Sequence, residues 1–471
     1  MERTGMRRVV SIATLLAVVV VLAPAGRGTG ARAATRPNVL LIVTDDQRWD
    51  TLWSMPNVAS DLVDHGVTFA SAHVVTPLCC PARASILTGQ YAHTTGVYGN
   101  HNSAPNGGFN AFDDSTTIAT VLHRQGYRTG LIGKYLNGYG ESDADRPPTY
   151  VPPGWDDWRA TIYDGGAYYG FTMSENGVER TYGSTDYITD VLGERAVEFI
   201  RAADGTQPWY LEWTPTAPHA NAEVEADHAH DFDALPPWRP DSYNEADVSD
   251  KPAWLQAARP LSLKKQASLD DFRRRQYGTL ASVDDWVGAM VDVLASTGQL
   301  RNTMIVYTSD NGFLWGEHRL SGKALPYEEA TRVPYVLRYD PLGGARTTPA
   351  LAANIDLAPT FAGLAGTSMP AADGKSLLPF LRGDVRVLRR SHLLEQQAVP
   401  FQGLPAWCQM AHANYRFIHY STGEDEYYNL ATDPLELVNR IASPRAQRRI
   451  ARMRDGLRAL CDPLPPGMPA F

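Results

Sequence analysis

Cysteine is scarce in this chain: four residues in 471 exclude a small scaffold held together by disulfides. No internal repeat or low-complexity tract occurs, and 44% hydrophobic with 20% charged residues is the composition of a folded chain with a large core, not of a disordered one. Positive charge is in deficit. Lys and Arg number 43 against 52 Asp and Glu, a formal charge of -9, which argues against a broad electrostatic track for nucleic acid or other polyanions. A small, focused anion pocket remains compatible with that balance. After the first 33 residues no further apolar run is long enough to span a membrane.

Those first 33 residues read as a signal peptide. Arg3, Arg7 and Arg8 form a basic start, residues 9–24 an apolar stretch, and Ala31-Arg32-Ala33 a small-x-small cleavage site. The stretch is short for a membrane anchor and is interrupted at Ser11 and Thr14, so the reading is a secreted protein starting near Ala34. Arg7-Arg8 also fits twin-arginine export, which leaves the route open. Cleavage removes five Arg and one Glu and takes the mature charge to about -13. In an exported chain Cys408 and Cys461 are expected to pair. Cys79 and Cys80 are adjacent, and a vicinal disulfide needs a strained backbone, so another role is expected for at least one of them.

Residues 38–44 (NVLLIVT) are apolar without alternation, the pattern of a strand covered on both faces of a parallel sheet, and two aspartates end the run. A helix over 115–125 and a strand over 129–132 follow, then a helix over 186–203 with a strand at 209–213, then a helix over 282–296 with a strand at 304–308. Ligands of open α/β sheets bind beyond the carboxyl ends of strands, so Asp45, Asp46, Lys134, His219, Asp310 and Asn311 are expected to reach one crevice. Residues 221–263 are polar and proline-rich, a long loop in which His228 and His230 read as solvated. Beyond residue 365 shorter pieces, including 415–420 and 426–430, indicate a small antiparallel C-terminal subdomain. The expected division is 1–33 signal, 34–365 catalytic domain and 366–471 C-terminal subdomain.

The most specific segment is PLCCPARASILTGQ, residues 77–90, which contains C-x-P-x-R as Cys79, Pro81 and Arg83. Pro81 suits the first turn of a helix running to about Leu87, which puts residue 79 where free backbone N–H groups favour an anion. The segment resembles the signature of type I sulfatases. TDDQR at 44–48, GKYLN at 133–137, APH at 217–219, SDNG at 309–312 and Gly322-Lys323 fall in that family's order, so the resemblance extends along most of the chain.

The resemblance implies an alkaline-phosphatase-like α/β fold with a large, mainly parallel sheet between helices. It implies that a formylglycine-generating enzyme oxidises Cys79 to formylglycine before folding. It also implies one calcium ion on Asp45, Asp46, Asp310 and Asn311, with an oxygen of residue 79 on the metal. Hard oxygen ligands suit that cation. Arg83 and Lys134 should steady residue 79, while His219 and Lys323 hold the sulfate, with Lys134 also near it. A geminal diol at residue 79 explains why a thiol would not serve: one hydroxyl attacks sulfur, and the second expels sulfate by elimination and restores the aldehyde.

One position departs from the pattern. Many arylsulfatase-like members carry a His two residues after the Lys, where this chain has Leu136. GKYLN, VPPGW at 151–155 and ASVDD at 281–285 resemble instead the branch of N-acetylglucosamine-6-sulfatases and extracellular heparan endosulfatases. Asn137 or a water is left to fill the space, and His73 and His318 are further pocket candidates. The implied substrate is a sulfated small molecule or glycan, such as 6-sulfated N-acetylglucosamine cut from a chain end, with Trp213, Trp238, Trp254 and Trp315 as candidate stacking surfaces. A phosphodiesterase or phosphonate monoester hydrolase and a non-catalytic sulfated-sugar binder are the alternatives.

Overall fold

The run NVLLIVT forms strand β1 (Asn38–Thr44), and all seven residues are buried. The computed structural model describes Met1 and residues 36–103, 106–141, 146–162 and 166–470; apart from Met1, the expected signal peptide lies outside them. Strands β2 (Val67–His73), β3 (Arg128–Gly133), β4 (Asp157–Thr161), β5 (Thr172–Glu175), β6 (Val178–Thr181), β7 (Trp209–Thr214) and β8 (Thr303–Ser309) follow. A short hairpin, β9 (Leu314–Trp315) with β10 (Ser321–Gly322), precedes β11 (Tyr335–Arg338) and β12 (Arg346–Ala353). Among the described residues one ten-stranded sheet forms in the order β12-β2-β11-β8-β1-β7-β3-β4-β5-β6. The five central strands from β8 to β4 are parallel, whereas β11 and β5 run against their neighbours.

The unalternating sequence of β1 has a simple cause. Val39, Leu41 and Val43 enter the core on one face, with the helices Cys79–Thr88, Ile118–Arg124 and Leu357–Leu364. Leu40 and Ile42 enter the core on the other, with the helices Ile188–Arg201 and Leu263–Ser296. Burying each such side chain contributes about 1.5–3 kcal/mol, so a polar substitution on either face of β1 would be costly.

The helix expected over 282–296 begins earlier, at Leu263, where the Ser262 side chain accepts from Lys265 N at 3.2 Å. Its first half is charged and held by local pairs such as Arg275 with Asp271 at 3.1 Å, so no apolar stripe announces it.

Beyond the large sheet, β13 (Ser391–Gln396), β14 (Trp407–His412), β15 (Tyr415–Tyr420) and β16 (Asp425–Asn429) form an antiparallel sheet in that order. The helix Gln447–Leu460 buries Ile450, Met453 and Leu457 against it, and Cys408 on β14 is bonded to Cys461 just past that helix. This sheet is joined to the body of the large sheet by Glu395 N donating to Val75 O (2.8 Å), Trp407 Nε1 to Ala324 O (3.1 Å) and Arg416 Nε to Glu328 Oε1 (2.7 Å). No helix among the described residues is long and apolar enough to cross a membrane.

Candidate active site

Four neighbouring parallel strands, β8, β1, β7 and β3, deliver their carboxyl ends to one place. Thr44 is in register with Ser309, so Asp45-Asp46 and Asp310-Asn311 leave the sheet side by side. Gly133 closes β3 in register with Thr214 and hands on Lys134; the turn after β7 carries His219. Two glycines are forced by space: a Cβ on Gly133 would lie 2.1 Å from Thr214 O, and one on Gly312 2.1 Å from Glu329 O. Asp46 adopts a left-handed backbone (φ 69°), a conformation that costs about 1–3 kcal/mol and persists only where neighbours enforce it. Here Asp46 N donates to Asp310 Oδ1 (3.2 Å) and Asn311 Nδ2 donates to Asp46 Oδ1 (2.7 Å).

Residue 79 opens the helix Cys79–Thr88, which runs one residue beyond the expected end. The Cys79 thiol faces Asp45 Oδ1 at 3.4 Å and receives a hydrogen bond from Lys323 Nζ at 2.8 Å. Lys323 also donates to Asp46 Oδ1 (2.6 Å), and Lys134 Nζ to Asp45 Oδ2 (2.5 Å). One turn along, Arg83 donates through Nε to Asp310 Oδ2 (2.8 Å) and through Nη1 to Lys134 O (2.9 Å), with Asp45 Oδ2 3.5 Å away. His219 stands at the rim with its Nε2 3.9 Å from Asp46 Oδ2. Its Nδ1 lies 2.6 Å from Ala220 O, and because a carbonyl only accepts, Nδ1 carries the proton and Nε2 faces the site.

The charges are strongly coupled. Burial opposes ionisation of Asp45, yet Lys134, His219, Arg83 and Lys323 hold its pKa well below the usual carboxylate range. Burial and the negative Asp45 push the Asp310 pKa upward. Burial works against the charged forms of Lys134 and Lys323, but Asp45 and Asp46 respectively keep both ammonium groups charged. For Cys79, burial and then Asp45 raise the thiol pKa, so an unmodified thiol here stays protonated and is a weak nucleophile.

The donor set fits a hard cation. Asp45, Asp46, Asp310 and Cys79 each offer an atom within 4.8 Å of the others, and Asn311 Oδ1 is buried without a hydrogen-bond partner. An orphaned amide oxygen beside three carboxylates is what an oxygen-preferring ion requires.

All nine residues named from the sequence therefore meet in one place. Two histidines do not join them. His73 Nε2 is 3.3 Å from Glu328 Oε1 and 3.0 Å from Arg416 Nη2, inside the junction with the C-terminal sheet. His318 is buried, with Nδ1 2.7 Å from Glu245 Oε2 and its ring stacked on Tyr327. Leu136 belongs to the hydrophobic core, and Asn137 Oδ1 is buried and unpartnered. His228 and His230 pair with Asp231 and Asp233 on the solvated loop. Trp213 and Trp315 are buried and offer no stacking surface, Trp238 and Trp254 are half-buried, and Trp53 is 61% exposed. The residues that support the site lie mostly outside the motifs. Asn100 Oδ1 accepts from Cys80 N (3.0 Å), and Glu317 accepts from Arg48 and Trp238 (both 2.6 Å). The Arg of TDDQR was the available signal for the second.

The family model described as Sulfatase matches residues 37–367, and that of the N-sulphoglucosamine sulphohydrolase C-terminal region matches residues 316–462. The chain is similar to the extracellular sulfatase SULF-1 homolog of Drosophila melanogaster, 34% identical over 373 residues, 77% of this chain and 33% of that protein. It is also similar to N-acetylglucosamine-6-sulfatase of Homo sapiens, 36% identical over 389 residues, 79% of this chain and 69% of that protein. The chain thus spans about a third of the length of the first relative and about two thirds of the second. A protein solved in complex with its substrate D-glucosamine-2-N,6-O-disulfate superposes with a TM-score of 0.80 at 22% identity, covering 91% of this chain and 98% of that one. The fold is accordingly the alkaline-phosphatase-like fold of sulfatases, with its C-terminal antiparallel sheet. With a family match across the whole of the large sheet and a relative 36% identical over most of its own length, the chain belongs to the sulfatase family.

Proposed function

We propose that this protein is a secreted hydrolase of sulfate esters that uses formylglycine at position 79 and one calcium ion, with residues 34–365 carrying the chemistry and 366–471 as the C-terminal subdomain. The observation that carries the reading is the setting of residue 79: first in its helix, fully buried, 2.8 Å from Lys323 Nζ, beside three carboxylates and an orphaned amide oxygen. Its burial also favours oxidation by the formylglycine-generating enzyme before the chain folds.

Asp45, Asp46, Asp310 and Asn311 would hold the cation, which when bound supplies positive charge against the transferring sulfuryl group. As a hydrated aldehyde, residue 79 supplies an oxygen nucleophile that can later be released by elimination. Lys323 reaches both residue 79 and Asp46, so it is placed to neutralise a sulfate oxygen seated over residue 79. Arg83 holds Asp310 and the Lys134 carbonyl and so orients one carboxylate of the proposed metal site and the segment that carries the Lys134 ammonium. His219, when protonated, has its Nε2–H free to pass a proton to the departing alcohol oxygen, because Nδ1 is already committed to Ala220 O. Hydrolysis of the ester with water then yields the alcohol, sulfate and a proton.

The substrate class is a sulfated sugar, 6-sulfated N-acetylglucosamine first. The similarity to a protein named N-acetylglucosamine-6-sulfatase supports this choice, and the similarity to one named an extracellular sulfatase supports export. The test is release of sulfate against phosphate from a matched pair of aryl esters, using protein whose residue 79 has been shown by peptide mass spectrometry to be converted. Strong preference for sulfate, with none released by Cys79→Ala protein of unchanged fold, is expected. Preference for phosphate, or full turnover by Cys79→Ala, would overturn the reading.

A further inference from the structure

The C-terminal quarter of the chain gathers cationic side chains that the hydrolytic site does not use. Two cavities there share His412 in their walls. One, of about 590 Å3, lies between the edge strand β12 at Thr348–Leu351 and the segment 386–390, which lines it with Arg386, Arg389 and Arg390. The other, of about 220 Å3, lies between β14, the start of β15 and the helix Gln447–Leu460, which lines it with Arg449 and Arg452.

The charges in these walls are largely uncompensated. Among the described residues Arg386, Arg390 and Arg452 make no ion pair, and all three are exposed. Arg389 is paired with Asp356, but its side chain is only 6% exposed and its Nη1 has no hydrogen-bond partner. His412 Nδ1 has none either. Burial and the field of Arg449, Arg416 and Arg390 hold His412 below its usual pKa, which is how an unbalanced positive potential registers on a neighbouring imidazole. A chain of formal charge -9 thus carries a local concentration of positive charge around two cavities.

We propose that the two cavities form an accessory binding site for the anionic groups of a sulfated polysaccharide, separate from the catalytic centre. The ligand class rests on the proposed sulfatase activity. β12 stands four strands from β1 in the sheet, about 19 Å at the usual strand spacing, so the ligand's groups here are not those being hydrolysed. Guanidinium groups match sulfate oxygens in forked geometry, and the cavities give them separate seats. The ring in the smaller wall, Tyr415, lies under Arg449 with its guanidinium 3.8 Å from the ring centre, so the face on which a nucleic-acid base could stack beside that cation is already covered. Tethering a polymer at this distance raises the concentration of its ends near the catalytic site without a new contact there.

The test uses the full-length protein and a fluorescent, fully sulfated heparin octasaccharide, with single-stranded DNA as a second probe. The triple variant Arg386→Glu/Arg390→Glu/Arg452→Glu is compared with Lys264→Glu/Lys265→Glu/Arg301→Glu, which changes charge equally on exposed positions elsewhere. The first variant should weaken octasaccharide binding by about tenfold or more and flatten its salt dependence, since three exposed positive charges are replaced by negative ones. Its turnover of a 6-sulfated monosaccharide should be unchanged, and the control should bind as wild type does. Equal losses in both variants, no loss in the first, or no binding by wild type would each overturn the proposal. Single-stranded DNA bound as tightly as the glycan and lost in the same variant would overturn the glycan assignment. If the octasaccharide is bound and then lost as expected while no sulfate ester is hydrolysed, the activity reading fails and the accessory site stands.

Discussion

Glu212 lies on β7 near the end that faces the candidate active site, 4% exposed, accepting a hydrogen bond from the Tyr210 hydroxyl at 2.7 Å. Burial raises its pKa from 4.5 to about 7, against the smaller opposing effects of that hydrogen bond and of Arg83. In the unfolded chain the same carboxyl ionises near 4.5. Between those two values the folded protein keeps a proton that the unfolded chain has released, so the contribution to stability is complete below pH 4.5. It is lost as pH rises through 7 and is level above that. An interval of about 2.5 pH units corresponds to about 3 kcal/mol. Glu212→Gln keeps an oxygen to accept from Tyr210 and has no proton to lose. Guanidinium unfolding of both proteins from pH 4.5 to 8 should therefore show wild type losing about 3 kcal/mol more than the variant across that range. Parallel curves would mean that Glu212 is ionised in the fold, and the account of its burial would be wrong.

Gly312→Ala places a methyl group 2.1 Å from Glu329 O, so the strand end must shift. A stability loss of about 1–3 kcal/mol and a fall in turnover of about a hundredfold are expected as Asn311 moves with it, and unchanged activity would refute the close approach. Asp310→Ala removes the carboxylate that Arg83 Nε and Asp46 N share; atomic emission should find the proposed calcium in purified wild type and not in the variant, and equal occupancy in both would remove Asp310 from the ligand set. Replacing Cys408 and Cys461 with serine opens a link across a sequence separation of 53 residues. The expected loss in denaturant unfolding is about 4 kcal/mol, and a loss below about 1 kcal/mol would show that the contacts of the C-terminal helix hold the sheet alone.

Much of the candidate site was readable because Asp45, Asp46, Lys134, Asp310 and Asn311 follow directly on strands that are covered on both faces. Such strands appear as unbroken apolar runs, so Asp45 after NVLLIVT and Asp310 after MIVYTS mark strand ends, and parallel pairing in register brings the marks together. Cys79 and Arg83 needed only one helical turn between them to face the same carboxylates. His73 and His318 lie as near to the motifs in sequence, yet their partners Glu328, Arg416 and Glu245 arrive from other segments, and nothing local in the chain says so. Strand β6 was unreadable for a related reason: VERT is exposed throughout at the sheet edge, and its ladder with β5 rests on backbone groups that any residue carries. The cationic cavities are the extreme case. Arg390, His412 and Arg452 come from three segments assembled by the C-terminal sheet and helix, with no spacing rule linking them, so their charge was hidden within an acidic total. Net charge read from a sequence constrains long-range attraction, whereas a binding site is set by which few charges the fold leaves unpaired, and only the structure separates the two.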